Sequence, residues 1–179
     1  MKNQGFLVIL LLSFSIMIKF VNGIIAGPIT TFLIFSAMMI CLIAAIKSSL
    51  DKQLSSLSKL SKVLLNISWA FSVVAVYFKI QLFPKADLLL ILSLILLTLS
   101  FIFNLWDKLK NKVQGLNMII FGLGIFLIVL IMSLISTNKI IEICYRNDLK
   151  QGELMKRLVL EPKNELIIQE IEDYRDSKK

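Results

Sequence analysis

The chain has 179 residues, 57% of them hydrophobic, and a formal net charge of +8, with a mean hydropathy of +0.82. Soluble domains hold about 45–50% apolar residues, and a globule of this size could carry the excess only by exposing very large apolar patches. A soluble fold is therefore excluded, and the lysines, which fall between apolar runs rather than on one soluble face, point to anionic headgroups and away from nucleic acid.

Residues 5–21 form the first apolar run, ending near Lys19. A basic start, a short apolar core and the small residues Val21 and Gly23 also fit a cleaved secretory signal. The next apolar run begins almost at once, so a retained first span is the preferred reading. Residues 24–46 are the second span. Gly23 and Gly27 make a G-x-x-x-G pattern, which lets helix backbones approach closely; as a competing reading, both glycines serve the turn between spans. Residues 47–62 form a basic connector with leucines at spacings of three and four. It reads either as a helix lying in the interface or as an extension of the flanking spans.

Two runs, 63–82 and 88–106, flank a polar hinge. A crossing needs about 20 mostly apolar residues, and each run nearly supplies them. Pro84 breaks the helix there, and Lys79 and Asp87 mark the hinge ends. Snorkelling lysine stems are the preferred reading; the others are that Lys79 and Asp87 pair across the hinge or face a vestibule. Among the polar residues of the hairpin, Asn66 and Asn104 fall near the same membrane face and are candidates to bond across helices. Trp69 and Trp106 fall near the connector-side interface, where aromatic belts form.

Residues 107–115 are a second basic connector, and 116–136 the fifth span. Gly122 and Gly124 give it a thin patch suited to close packing. From Thr137 the composition changes: residues 139–179 carry nine basic and nine acidic side chains. The pattern predicts a helix over 139–151 stopped by Gly152, a short one over 153–160, and a last one capped by Asn164. This tail is expected to dock on the membrane surface or on a partner helix.

The expected fold is thus all-α: a polytopic membrane protein with five transmembrane helices in residues 1–136 and a charged amphipathic helical tail in 137–179. Ile18-Lys19-Phe20, Phe78-Lys79-Ile80 and Asn138-Lys139-Ile140 recur every 60 residues, which suggests a repeated two-helix unit. Lys2 and the two basic connectors hold eight lysines, and the opposite short loops hold Lys19, Lys79 and Lys85. The positive-inside rule then predicts a cytoplasmic N-terminus and an external tail in the cell's inner (plasma) membrane.

Residues 77–90, Tyr-Phe-Lys-Ile-Gln-Leu-Phe-Pro-Lys-Ala-Asp-Leu-Leu-Leu, resemble the membrane hairpin of the GldL family, the gliding-motility and type IX secretion motor subunits of Bacteroidetes. Phe78, Lys79, Ile80, Pro84 and the leucines carry the resemblance; Leu82, Phe83 and Lys85 stand where that pattern has His, Trp and Gly. The resemblance implies a hairpin with its hinge outside. The family's ion coupling through acidic residues within the spans is not implied, because no Asp or Glu falls inside a predicted span.

No catalytic constellation emerges. The chain has no histidine, which removes the commonest general base and zinc ligand. Cys41 lies within an apolar run and Cys144 outside one, so no disulfide framework is implied. No catalytic, cofactor or metal residues are expected. The expected function is that of a non-enzymatic accessory or assembly subunit, partnered by the lipid bilayer and by other membrane helices or copies of itself. A small transporter or channel is the alternative.

Overall fold

The computed structural model describes residues 4–22, 27–111 and 116–177. They form eight helices: α1 (Gln4–Asn22), α2 (Gly27–Leu50), α3 (Ser56–Ile80), α4 (Ala86–Asn111), α5 (Leu116–Leu134), α6 (Thr137–Cys144), α7 (Leu149–Leu160) and α8 (Glu165–Asp176). Four of them, α1 to α4, are long and apolar enough to cross a membrane. A fifth crossing is added if α5 and α6, bent by 92° at their junction, are counted together. The fold is an all-helical bundle of the kind a multi-pass membrane protein adopts.

α1, α2 and α4 each turn one narrow seam inward. In α4 the buried positions are Ala86, Leu90, Ser93, Leu97, Ser100, Asn104 and Asp107, a strict alternation of four and three. In α2 they are Thr30, Ile34, Ala37, Cys41, Ala44 and Ser48, spaced in the same way, with Ala45 beside them. That is the spacing of left-handed helix packing. The seams are rich in small residues, as expected where lipid offers no hydrophobic drive and contact must come from close backbone approach. Helix α3 is the central one: 61% of its best apolar window is buried, against 28–33% for α1, α2 and α4. It touches α1, α2, α4 and α5.

Several boundaries differ from the sequence reading. The 47–62 connector is not an interfacial helix. α2 runs on to Leu50 and α3 starts at Ser56, so only residues 51–55 reverse the chain. Asp51 accepts from the Gln53 N–H (3.0 Å), an Asx-type turn, and Ser55 caps α3 by accepting from the Ser58 N–H (3.2 Å). α4 likewise extends to Asn111, which brings Asp107 inside a helix long enough to span, contrary to expectation. Trp69 is a core residue, 3% exposed, and not part of an interfacial belt; Trp106 is 64% exposed.

In the tail the predicted 139–151 helix is two. α6 ends at Cys144, and Asp148 starts α7 by accepting from the Gln151 N–H (3.2 Å). Gly152 lies within α7 and does not stop it. A Cβ there would come 3.3 Å from the Tyr145 Cβ, so the glycine allows α7 to fold back on the turn. Ile140, Ile141, Cys144 and Tyr145 belong to the main bundle core. Leu154, Ile167 and Ile171 form a separate small core between α7 and α8.

Candidate functional site

The hinge between α3 and α4 is a Schellman turn made without glycine. The Leu82 N–H donates to the Lys79 carbonyl (3.2 Å) and the Phe83 N–H to the Phe78 carbonyl (2.9 Å), the bond pair that defines the motif. Leu82 takes the left-handed position at φ +61°, and the Phe78 and Phe83 rings pack at 4.9 Å between centroids. Lys85, after Pro84, is also left-handed at φ +63°. Asp87 sits in the first turn of α4, where the helix dipole favours a carboxylate.

This turn brings Lys79 and Asp87 together. Lys79 does not snorkel: it is 1% exposed. Its ammonium donates to Asp87 Oδ1 and to Thr137 Oγ1 at 3.1 Å. The reason is α6, which folds over this end of the bundle and covers the lysine that the sequence places at a water boundary. One cation thereby ties α3, α4 and α6.

A second chain of bonds lies beside it. Lys19, 7% exposed, donates to Gln81 Oε1 at 3.3 Å. Gln81 Nε2 donates to Thr30 Oγ1 at 3.3 Å, and Thr30 donates to the Gly27 carbonyl at 2.9 Å. These bonds tie α1, α3 and α2. The Cys144 thiol lies 3.9 Å from the Lys19 carbonyl, so α6 covers this lysine as well. Lys19 and Lys79, equivalent in the 60-residue register, both end up buried at the hinge end; Lys139 is exposed.

The opposite end has its own polar contacts. Ser58 donates to Asp107 Oδ1 at 2.7 Å, and Asn104 donates to Ser61 Oγ at 3.2 Å. Asn66 does not meet Asn104; its amide returns to the Lys62 carbonyl at 2.8 Å. Between the two ends most buried hydroxyls turn back on their own helices, and Ser68, which bonds the Leu64 carbonyl (2.8 Å), also reaches the Leu96 carbonyl of α4 (3.3 Å). Ser72 donates to the Ser68 carbonyl (2.8 Å), Ser93 to Leu90 (2.9 Å) and Ser100 to Leu97 (2.8 Å). Such back-bonding satisfies a hydroxyl without a partner helix.

The glycines differ among themselves. A Cβ at Gly122 would fall 2.6 Å from the Phe101 ring and 3.3 Å from Trp69 Nε1, and one at Gly124 would fall 2.7 Å from Ile9 Cδ1. α5 therefore presses its backbone onto α4, α3 and α1 at these points. A Cβ at Gly27 would meet nothing within 4 Å among the described residues, and Gly23 lies outside the described residues.

Outside the bundle, Lys156 donates to Glu142 at 2.7 Å and holds its carboxyl below the usual carboxylate range. Tyr174 donates to Asp148 at 2.8 Å. Among the described residues, no three His, Cys, Asp or Glu side chains converge as metal ligands would. The sequence reading missed Lys19, Gln81, Thr137, Ser58 and Asp107 as members of these clusters. Its one available signal was the 60-residue recurrence that pairs Lys19 with Lys79. No family model, curated protein or solved structure matches the chain.

Proposed function

We propose that this protein is a non-enzymatic accessory or assembly subunit, a multi-pass protein of the cell's inner (plasma) membrane that packs with other membrane helices or with copies of itself. The observation that carries the reading is how the buried polar groups are used. Lys79, Asp87 and Thr137 bind three helices to one another, and Lys19, Gln81 and Thr30 bind three. Intramembrane ionisable groups usually mark a pathway. Here they act as fasteners, and the buried hydroxyls between them bond backbone carbonyls, those of their own helices and, from Ser68, that of Leu96 in α4 as well. The outer helices meanwhile turn most of their apolar surface away from the bundle, where lipid and partner helices lie. The lysine distribution supports an orientation with the N-terminus and both connectors in the cytoplasm and the tail outside.

Purification in a mild detergent tests this. The expected product is a complex, either with other membrane proteins or between copies. A single chain returned alone as a monomer would overturn the proposal.

The transporter or channel reading draws on one observation, the two lysine side chains buried at the hinge end. It predicts a flux into liposomes that Lys79→Met or Asp87→Asn abolishes. The accessory reading predicts no flux for either variant or for the native chain.

A further inference from the structure

α6 is the main attachment of the tail to the bundle. It packs on α1 and on α7, whereas α8 packs on α7 around Leu154, Ile167 and Ile171. α7 adds Met155 and Val159 at the edge of the main core. Ile135 and Ser136 separate α5 from α6, and the chain bends there by 92°. Ser136 caps α6 by accepting from the Lys139 N–H (3.3 Å). α6 thus keeps its own start and can turn on this link as one body.

Opposed effects act on the position of α6 over the hinge end. Its inner side buries Ile140, Ile141 and Cys144, and Thr137 accepts from the Lys79 ammonium at 3.1 Å. Both hold it down. Against them, α6 covers Lys19, which is 7% exposed. The Lys19 ammonium donates to a neutral amide oxygen, Gln81 Oε1, at 3.3 Å. The titratable group that acts on it is the Cys144 thiol of α6 itself. No carboxylate among the described residues pairs with it. Its place in the last turn of α1 gives it the partial negative charge of a helix end, about half a unit. A buried charge is costly unless it is both paired and hydrogen-bonded. Lys79 meets that requirement through Asp87 and Thr137, and Lys19 does not. Lifting α6 returns water to Lys19.

We infer that α6 is a lid on the hinge end, closed in this structure and opening on the α5–α6 link while the bundle stays folded. Thr137 is its latch, and the buried charge of Lys19 is the force that lifts it. The open form is the minor one, because opening exposes Ile140 and Ile141. Such a lid goes beyond the proposed role as a subunit and does not depend on it.

The two native thiols read the motion. Cys144 is on the inner side of α6 and Cys41 in the seam of α2, and both are buried. The full chain in mild detergent is treated with N-ethylmaleimide, and labelling at each cysteine is followed by peptide mass spectrometry. Each rate is divided by that of the same thiol in the denatured chain. Cys144 should label faster than Cys41, because local opening needs less free energy than global unfolding. Thr137→Val removes the latch and should speed Cys144 about ten-fold, the worth of one hydrogen bond to a charged group, with Cys41 unchanged. Lys19→Met removes the charge and should slow Cys144 by a similar factor. Equal rates at the two thiols in the native chain overturn the inference, since α6 would then open only with the bundle. So does a rise at both thiols in Thr137→Val, or no rise at either. A Lys19→Met chain whose Cys144 labels as fast as the native one, or faster, overturns it as well.

Discussion

At the scale of single residues, the Lys79–Asp87 pair is asymmetric, and the asymmetry has a measurable consequence. The Lys79 side chain is 1% exposed and that of Asp87 is 62% exposed. Removing the buried partner leaves a carboxylate that water can solvate. Removing the exposed partner leaves an ammonium under α6 with Thr137 as its remaining partner. Breaking a buried pair costs about 3–5 kcal/mol when an uncompensated charge stays behind, whereas a solvated pair contributes about 1 kcal/mol or less. Asp87→Ala should therefore destabilise the protein by about 3 kcal/mol, and Lys79→Met by about 1 kcal/mol. In the double variant the Asp87 change should add little, because the stranded cation is gone. Unfolding of the four proteins in one detergent checks the cycle. Equal losses for the two single variants would show that the pair is solvated like a surface bridge.

At the scale of elements, the sequence carries the helices better than their ends. Apolar length and Pro84 are enough to find α3, α4 and the hinge. The Schellman turn itself is not legible, because Leu82 and Lys85 hold left-handed positions that glycine usually marks. Over 47–62 the structure takes the second of the two readings, an extension of the flanking spans, because lysine and serine do not prevent a helix from continuing past the hydrocarbon boundary. Asp107, read as the start of the second connector, lies inside α4 for the same reason. The sequence offers Gly23, Gly27, Gly122 and Gly124 as places for close packing, but only the folded structure says which small residue is in contact. Gly122 and Gly27 make that contrast testable. Gly122→Ala would force the Phe101 ring or the whole of α5 aside, and overpacking of this kind costs about 1–3 kcal/mol. Gly27→Ala opens onto empty space at the start of α2 and should be neutral or stabilising by up to about 1 kcal/mol. Thermal unfolding of the two variants should move them in different directions from the native chain. If both lose stability alike, contact at Gly122 is not what fixes α5.

At the scale of the whole molecule, the question is how many times the chain crosses. Lysine counts alone predict a cytoplasmic start and an external tail, but the basic residues just after α5 weaken that count. Packing supplies an independent argument. Phe121 lies against Gly5 and Gly124 against Ile9, and further on Ile135 lines the same groove as Phe20. α5 therefore runs in the same direction as α1. Since α6 then turns by 92° and buries Ile140 and Ile141 in the bundle, the tail stays at the hinge end. Five crossings would put residues 51–55 and the α7–α8 loop on opposite sides; four would put them on the same side. The native thiols Cys41 and Cys144 are buried and should react slowly with a membrane-impermeant maleimide. Exposed positions serve better: Lys52→Cys in the α2–α3 connector and Lys163→Cys in the α7–α8 loop. Intact cells should label residue 163 and leave residue 52 unlabelled until the membrane is opened. The reverse pattern would invert the topology while keeping five crossings. Labelling of both from one side would mean that α5 does not cross, and that the bundle is closed by four helices with α5 and α6 lying against it.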